Sequence, residues 1–280
     1  MIVLEQPEAL RSWRKARTGS LGLVPTMGSL HAGHEALVQA SLQQNDHTVV
    51  SIFVNPLQFN ETQDFDSYPR PLQEDEDRLR RLGTSVLYRP KPAAMYPEGF
   101  ETTVQAGPGG GGFEGEFRPG HFDGMLTVVL KLLLQSGADR AYFGEKDAQQ
   151  LYLVRRLVED FHVDCEIVAC PTQREADGLA MSSRNVHLNP EDRVRSTALF
   201  QALSAARVLF QKGERRPQAL EQAMQAVYRQ AGLQAEYAAV VDDRTFQKPA
   251  GESSGNWRAV TAVRVGSTRL IDNLRLDAGD

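Results

Sequence analysis

The chain has 280 residues, of which 41% are hydrophobic and 24% charged, proportions typical of a soluble globular protein. A chain of this length forms one large domain or two ordinary ones, and it buries enough core to fold without a disulfide or a metal. Its formal net charge of -5 argues against a general nucleic-acid-binding protein, because phosphate neutralisation requires clustered Lys and Arg.

Secretion and membrane insertion are not expected from this sequence. Residues 1–6 lack the basic start and long apolar run of a signal peptide. The longest strongly apolar stretch, residues 125–134, is interrupted by Lys131 and is too short to span a bilayer. Cys165 and Cys170 do not form a CxxC motif, and no further cysteine completes a zinc site. We therefore expect reduced thiols in a cytoplasmic protein that binds no membrane.

Predicted strands and helices alternate through the first half of the chain. Short apolar or β-branched runs predict strands at 21–25, 48–55, 85–88, 102–105, 140–143 and 164–169. Helical spacing of apolar residues predicts helices at 7–16, 31–44, 73–82, 121–135 and 148–161. This alternation indicates a parallel sheet with helices on both faces, in which ligands bind outside the carboxyl ends of the strands.

Longer helical patterns dominate the second half. Helices are predicted at 190–212 and 217–231, and strands at 237–242, 258–265 and 268–270. We therefore expect an α/β fold in two domains, with a parallel-sheet domain at 1–175 and a smaller α+β domain at 176–280.

The decapeptide PTMGSLHAGH at 25–34 lies between a predicted strand and a predicted helix. His31 and His34 are three residues apart near the helix start, so both side chains project on one side. Backbone N–H groups and the helix dipole at such a start favour a phosphate, and Gly28 and Gly33 allow the backbone to approach a ligand closely. The motif indicates a triphosphate site, with ordinary helix-start residues as the alternative. A zinc site is disfavoured, because HExxH spacing is absent and no third ligand is evident.

A second motif, GEKD at 144–147, follows directly after a predicted strand. Lys146 offers a mobile ammonium for phosphate, and Asp147 can accept from a ribose hydroxyl or help to hold Mg²⁺. Gln149 and Gln150 follow at a helix start and can donate to a carboxylate or a hydroxyl. A turn of solvated charges is the alternative interpretation.

A third motif, DGLAMSSRN at 177–185, carries two hydroxyls and a guanidinium after a glycine. Ser182, Ser183 and Arg184 would make a mobile phosphate clamp, in which the guanidinium neutralises pyrophosphate as it leaves. Composition alone favours a polar loop between domains.

Two further motifs are less specific. FVNPLQF at 53–59 ends the strongest predicted strand, and its Gln58 stands between two apolar residues, a lining suited to a small polar organic acid. RPGHFDG at 118–124 is consistent either with a functional role or with a helix cap that carries incidental charges.

Together PTMGSLHAGH, FVNPLQF, RPGHFDG, GEKDAQQ and DGLAMSSRN resemble, in order, the signature of the pantothenate synthetase (pantoate–β-alanine ligase) family of the HxGH nucleotidyltransferase superfamily. The resemblance covers residues 21–189, and LIDN at 270–273 is similar to the family's end. It implies a Rossmann-like domain for ATP and pantoate, with the smaller domain acting as a lid. It also implies that ATP, pantoate and β-alanine give pantothenate, AMP and pyrophosphate through an enzyme-bound pantoyl adenylate, in vitamin B5 and coenzyme A biosynthesis.

The family's roles carry over to the matching positions. The resemblance implies catalytic roles for His34, as proton donor, and for His31, Lys146 and Arg184. Gln58 and Gln150 would bind pantoate, and Gln58 would also lie near β-alanine. The implied ATP-binding residues are Met27, Gly28, Ser29, Leu30, His31, Ala32, Gly33, His34, Gly144, Glu145, Lys146, Asp147, Gln173, Met181, Ser182, Ser183 and Arg184.

The resemblance further implies that Mg²⁺ accompanies ATP, without a dedicated set of protein ligands, and that the chain forms a homodimer. Its expected partners are small molecules, with neither nucleic acid nor membrane among them. Two features depart from the family. Gln173 replaces an apolar residue that many members have before Arg-Glu, which changes little if the contact is made by the backbone. Segment 107–116 is unusually rich in glycine, so we expect this wall of the pocket to be looser.

Three other functions fit part of this sequence. A nucleotidyltransferase that only moves AMP onto a phosphate would share HxGH, but it would not need FVNPLQF or two glutamines aimed at an organic acid. A fragment of a tRNA-linked synthetase is disfavoured by the acidic charge and by the absence of a basic anticodon-binding module. A non-catalytic nucleotide sensor would bind without turnover, and the presence of His31, His34, Lys146 and Arg184 in one chain argues against it.

Overall fold

A computed structural model of the chain describes residues 1–59, 65–66, 68–249 and 255–277. The chain divides into two units. Unit 1 comprises Met1–Glu145 and Leu153–Pro171, and unit 2 comprises Lys146–Tyr152 and Thr172–Asp280. The domain boundary expected between residues 175 and 176 stays a prediction.

Unit 1 contains a six-stranded parallel sheet, as the alternating sequence pattern predicts. Its strands are β1 (Ile2–Leu4), β2 (Leu21–Thr26), β3 (His47–Ile52), β4 (Val86–Tyr88), β5 (Arg140–Gly144) and β6 (Glu166–Cys170). They lie in the order β1-β4-β3-β2-β5-β6, so β3 flanks β2 on one side and β5 flanks it on the other. Strand order therefore reverses between β2 and β5, and ligands in such sheets bind in the crevice at the carboxyl ends beside a reversal.

Helices provide most of the connections between these strands. They are α1 (Pro7–Lys15), α2 (Ala32–Gln44), α3 (Leu72–Leu82), α4 (Pro92–Met95), α5 (Glu114–Phe117), α6 (His121–Ser136) and α7 (Ala148–Asp160), and the first residues of α7 belong to unit 2. Short 3-10 turns occur at Pro56–Gln58, Pro108–Gly110 and Glu145–Asp147.

The core of unit 1 fixes where α2 begins. Val24 of β2 and Val50 of β3 pack with Leu37 and Val38 of α2 in one buried cluster. Branched side chains suit the pleated surface of a sheet, and burying each such side chain contributes about 1.5–3 kcal/mol. The packing of α2 on the sheet holds its first turn directly after the turn that follows β2.

Unit 2 contains a three-stranded antiparallel sheet with helices, which matches the smaller α+β unit predicted from the sequence. The strands β7 (Ala235–Asp242), β8 (Trp257–Val265) and β9 (Thr268–Arg275) lie in chain order, and the helices are α8 (Pro190–Ser196), α9 (Ala198–Gln211) and α10 (Pro217–Gln230). Trp257, Tyr228 and Leu203 are fully buried in its core.

Several local features differ from the sequence-based expectations; β9, for example, is predicted only at 268–270 but runs to Arg275. The strand predicted at 102–105 is wrong, and the Val104 N–H donates instead to the Thr127 hydroxyl at 2.9 Å. The helix predicted at 190–212 is two helices separated at Thr197, whose hydroxyl donates to the Val194 carbonyl at 2.8 Å and competes with helical bonding. Strand β1 was not predicted, because its three residues are too few to show an alternating pattern of apolar and polar side chains.

Candidate active site

The backbone turns sharply where β2 ends. Gly28 has a φ of +87°, a conformation that favours glycine. A Cβ atom at Gly28 would lie 3.0 Å from Ile52 Cγ2 and 3.1 Å from Asp75 Oδ2. The Thr26 hydroxyl donates to the Ser51 carbonyl at 2.8 Å and accepts from the Gly28 N–H at 3.2 Å. These contacts anchor the turn to β3 and keep its backbone close to α3.

Asp75 of α3 holds the next part of this turn. One carboxylate oxygen accepts from the Ser29 N–H at 2.8 Å, and the other accepts from the Leu30 N–H at 2.7 Å. The residue is 1% exposed. Burial raises the pKa of the Asp75 carboxyl, although the two N–H donors oppose this shift. Asp75 was not predicted from the sequence. The feature that indicates it is an acidic residue at a position where the helical spacing of α3 calls for an apolar one, four residues before the buried Leu79.

His31 and His34 cap the start of α2 reciprocally. His31 Nδ1 accepts from the Gly33 N–H at 3.1 Å, and His34 Nδ1 accepts from the His31 N–H at 3.4 Å. The two ring centroids are 4.1 Å apart. Because Nδ1 is the acceptor in both rings, each neutral imidazole carries its proton on Nε2. The cap therefore fixes both the orientation and the tautomer of the rings at a helix N-terminus.

Gln58 ends the turn Pro56–Gln58 and is 7% exposed. Its Oε1 accepts from Asn55 Nδ2 at 2.9 Å, and its Nε2 lies 3.3 Å from Met27 Sδ. The structure thus brings together two predicted site residues, Met27 and Gln58, that are 31 positions apart. Asn55 stands in the FVNPLQF motif, but the sequence assigned it no role; it is fully buried and accepts a hydrogen bond from the Tyr96 hydroxyl at 2.7 Å.

The RPGHFDG segment supports the backbone of Gln58. His121 Nδ1 donates to the Gln58 carbonyl at 2.9 Å, and Arg118 Nη2 donates to the same oxygen at 3.4 Å. Arg118 Nη1 lies 3.2 Å from His121 Nε2, which must be the acceptor because a guanidinium only donates. Gly124 permits the close approach, since a Cβ atom there would overlap the Leu57 carbonyl oxygen. This segment therefore holds the turn that carries Gln58.

A cavity of about 170 Å³ lies beside the glycine-rich segment at 107–116. Glycines of the segment line it together with Arg118 and Asp123, and Asp123 Oδ1 accepts from the Ala106 N–H at 2.7 Å. Part of the segment is regular, because it includes a 3-10 turn and α5. The expectation of a looser wall stays a prediction.

The GEKD motif ends β5 and forms a 3-10 turn before α7. In unit 2, Lys146 Nζ lies 3.9 Å from Asp147 Oδ2, and the Lys146 side chain is 21% exposed. The Lys146 carbonyl accepts from Asn273 Nδ2 of β9 at 2.8 Å. Gln150 is partly exposed in the first turn of α7.

Residues 173–185 of unit 2 form a loop that is closed by backbone hydrogen bonds. The Gln173 carbonyl accepts from the Met181 N–H at 2.9 Å, so Gln173 joins the loop through its backbone. Ser182 Oγ accepts from the Arg184 N–H at 3.2 Å at the start of a 3-10 turn that includes Ser183. Within the part of the chain that the structure describes, no group accepts a hydrogen bond from the Arg184 guanidinium.

Ion pairs anchor both sides of this loop within unit 2. Arg174 binds Asp272 through two hydrogen bonds of 2.7 and 2.9 Å, and burial raises the pKa of the Asp272 carboxyl although Arg174 opposes the shift. Arg193 pairs with Glu175 at 2.6 Å and with Asp177 at 2.7 Å. Its hydrogen bond lowers the pKa of the Asp177 carboxyl.

Residues 1–59, 65–66, 68–249 and 255–277 contain neither a cluster of metal ligands nor a membrane-spanning helix. These residues place no three His, Cys, Asp or Glu side chains together as a metal site. None of their helices is both long enough and apolar enough to cross a membrane.

Comparisons with known proteins agree along nearly the whole chain. The family model described as pantoate-beta-alanine ligase matches residues 2–275. The pantothenate synthetase of Roseiflexus sp. (strain RS-1) is 46% identical over 279 residues, which cover 99% of this chain and 100% of that protein.

Two solved structures are also similar. Pantothenate synthetase from Thermus thermophilus has a TM-score of 0.92 and 42% identity, with 99% of each chain covered. Pantoate-beta-alanine ligase from Francisella tularensis, complexed with beta-gamma ATP and beta-alanine, has a TM-score of 0.80 and 34% identity, and the match covers 100% of this chain and 99% of that one. The sequence motifs, the parallel sheet with its small α+β unit and these likenesses agree: the chain belongs to the pantoate–β-alanine ligase family.

Proposed function

We propose that the ligase reaction of this chain runs in two steps, through an enzyme-bound pantoyl adenylate. First, a carboxylate oxygen of pantoate attacks the α-phosphorus of ATP, and the bond to the β-phosphate oxygen breaks to release pyrophosphate. Second, the amine of β-alanine attacks the acyl carbon, the bond to AMP breaks, and the nitrogen loses a proton to give pantothenate. A free carboxylate is a poor electrophile and AMP is a good leaving group, so the first step makes the second possible. The complex of the Francisella relative supports ATP and β-alanine as substrates.

The histidine cap of α2 is the observation that carries this proposal. In both rings the protonated nitrogen is Nε2, a donor suited to a phosphate oxygen. The helix dipole at the same N-terminus also favours an anion. Preorganised donors of this kind typically contribute about 10²–10³ in kcat each when charge develops in the transition state. His31 and His34 would therefore stabilise the α-phosphate while it is attacked, with His34 in the role of proton donor.

Gln58 and Gln150 would bind pantoate. The Gln58 Nε2 amide contacts the Met27 thioether, which is a weak acceptor. A carboxylate or hydroxyl oxygen of pantoate would be a stronger partner, so exchanging the sulfur for substrate costs little. Asn55 Nδ2 donates to the side-chain carbonyl of Gln58, and His121 Nδ1 donates to its main-chain carbonyl. Both hydrogen bonds keep the Gln58 amide preorganised for pantoate.

Lys146 and Arg184 would neutralise the phosphates of ATP and the departing pyrophosphate. Mg²⁺ would enter as part of the ATP complex, because it keeps several waters and is usually held by phosphates with one or two carboxylates. Asp147, beside Lys146, offers one such carboxylate. The remaining implied ATP residues would contribute backbone N–H groups and shape.

We also propose a cytoplasmic homodimer. Both cysteines are buried free thiols, which is usual in a reducing compartment. The homodimer is proposed from the family resemblance alone, and sedimentation equilibrium that detected only single chains would exclude it.

Pantoate labelled with ¹⁸O in its carboxylate tests the two-step reaction. For each pantothenate formed, we expect one ¹⁸O atom from pantoate to appear in AMP. The attacking carboxylate oxygen stays on the α-phosphorus when the amine displaces AMP from the acyl carbon. We also expect pyrophosphate, rather than phosphate, to form with ATP and pantoate before β-alanine is added. Label in phosphate, with ADP as the second product, would show an acyl phosphate instead and would refute the adenylate.

A further inference from the structure

Asn273 lies on β9, 127 positions after Lys146 in the chain, and its side-chain amide donates to the Lys146 carbonyl at 2.8 Å. We infer that Asn273 is a positioning residue for the ligase reaction, because it fixes the main chain from which the Lys146 side chain extends. The inference rests on the proposed role of Lys146 at the phosphates of ATP. It also gives a function to the LIDN segment, whose role the sequence leaves open.

The orientation of the Asn273 amide is determined by its other neighbour. Arg258 Nη1 donates to Asn273 Oδ1, and Arg258 is only 3% exposed. A guanidinium has no acceptor, so the amide oxygen must face Arg258 and the amide nitrogen must face the Lys146 carbonyl. A flipped amide would put donor against donor on one side and oxygen against oxygen on the other.

The backbone of Asn273 is equally well held. Its N–H donates to Asp272 Oδ1 at 2.7 Å, and its carbonyl accepts from Arg174 Nη2 at 3.1 Å. Arg258 is itself paired with Asp243 at 2.6 Å. Buried polar networks with satisfied members are rigid, so the hydrogen bond to Lys146 comes from a fixed point.

This rigidity matters for Lys146 because a lysine side chain is long and flexible. Its ammonium can be placed reproducibly only if its main chain is held, and a misplacement of about 1 Å can cost about 10²-fold in rate. A purely structural role for Asn273 predicts a different outcome. In that case its substitution would lower the stability of unit 2 but leave the activity of the folded molecules unchanged.

The test is Asn273→Asp, which keeps the size of the residue and its acceptor for Arg258 but places an oxygen against the Lys146 carbonyl. We expect kcat/KM for ATP to fall at least about 10-fold, while KM for pantoate stays within about 2-fold. In a Lys146→Ala background, the same substitution should lower kcat/KM for ATP by no more than about 2-fold further. Both changes act through the same interaction of the Lys146 side chain with ATP.

Thr261→Val is the matched control. Thr261 lies on the neighbouring strand β8, where its buried hydroxyl bonds to the Tyr228 hydroxyl at 2.9 Å. This variant should lower the thermal stability of the protein but leave kcat/KM for ATP unchanged. If Asn273→Asp does not fold, Asn273→Ser, which is smaller and uncharged, replaces it in the same cycle.

The outcomes separate the inference from the proposed function. If Lys146→Ala loses activity while Asn273→Asp keeps kcat/KM for ATP, the inference is wrong and the role of Lys146 stands. An equal loss from Asn273→Asp with and without Lys146 also overturns the inference. If Lys146→Ala keeps full activity, the proposed role of Lys146 fails, and the positioning role of Asn273 fails with it.

Discussion

At the scale of single residues, the start of α2 would combine helix capping and the proposed phosphate binding in one pair of side chains. Ser, Thr, Asp and Asn are the usual N-caps, and Glu is the usual reciprocal partner. Here His31 and His34 take both positions. The same contacts that complete the helix therefore set which imidazole nitrogen is protonated, so the helix capping and the phosphate binding proposed above depend on each other.

Substituting His34 should affect both tasks to different degrees. We expect His34→Ala to lower kcat by roughly 10²-fold or more, because preorganised charge stabilisation is lost. Loss of a cap costs only about 0.5–2 kcal/mol of stability, so the protein should remain folded. Steady-state kinetics with saturating ATP, pantoate and β-alanine measure the effect, and His162→Ala, at an exposed position, is the control. Unchanged turnover in His34→Ala would remove His34 from the mechanism.

Asp75 offers a second residue-scale prediction. Asn keeps one acceptor oxygen but places an NH₂ group against the second backbone N–H, so Asp75→Asn leaves one of the two donors at Ser29 and Leu30 unpaired. We expect a loss of about 1–3 kcal/mol in the free energy of unfolding, measured in urea, with a fall in kcat as the turn relaxes. Asp77→Asn lies on the exposed side of the same helix and should change neither quantity. Equal stabilities of the two variants would show that Asp75 does not hold the turn.

At the scale of whole elements, α6 and the turn Pro56–Gln58 act as one support for Gln58. The helix contributes His121 at its start and Gly124 one turn later. The first donates to the Gln58 carbonyl, and the second lets the helix touch the backbone at Leu57. The pantoate pocket proposed above therefore depends on how closely this helix can approach.

Gly124→Ala tests that dependence. The added Cβ would overlap the Leu57 carbonyl, so helix and turn must separate. We expect a stability loss of about 1–3 kcal/mol from overpacking. We also expect a higher KM for pantoate, with KM for ATP less affected, because Gln58 moves. Leu134→Ala, on the exposed side of the same helix, is the control and should change neither quantity. A variant that binds pantoate normally would contradict the proposed support.

The sequence patterns correctly predicted the helices and strands whose apolar side chains form the core. The helix predicted at 31–44 runs from Ala32 to Gln44, and the strand predicted at 48–55 runs from His47 to Ile52. The strand is a β-branched run that is apolar on both faces, and the helix carries Leu37 and Val38 on its buried side. The pattern fails at 102–105, where a side chain of α6 takes the N–H of Val104 that a neighbouring strand would have bonded.

The local motifs were likewise visible in the sequence, but their supporting residues were not. Asp75 and Asn273 act through hydrogen bonds to backbone groups 45 and 127 positions away. Hydrogen bonds between such distant positions produce no periodic pattern in the sequence, so they cannot be predicted from it. Asn55 stands inside the FVNPLQF motif, yet only the fold shows its amide between Gln58 and the Gly124 carbonyl.

At the scale of the whole molecule, unit 1 contains both cysteines on or beside β6. Cys165 and Cys170 are buried free thiols. Burial raises the pKa of the Cys165 thiol to about 12 and raises that of Cys170 as well. Because the thiolate is the reactive form, both cysteines should be inert while this edge of the sheet stays folded.

Thiol labelling therefore reports the integrity of unit 1. We expect iodoacetamide at pH 8 to modify the native protein at least about 10²-fold more slowly than the protein in urea, because a raised pKa and burial both suppress attack. Mass spectrometry of each cysteine peptide gives the two rates, and Cys165→Ser leaves Cys170 as the sole thiol. Labelling of the native protein at the unfolded rate would show that β6 opens readily.

The position of β9 has a consequence for protein synthesis. A ribosome makes all six strands of the parallel sheet well before it adds residue 273, since the last of them ends at Cys170. A nascent chain could thus complete that sheet, with its histidine-capped helix, while Lys146 still lacks the amide that holds its carbonyl. Chains released early by stalling or by a premature stop codon would carry the turn that we propose for the nucleotide but would lack the amide that holds the Lys146 carbonyl.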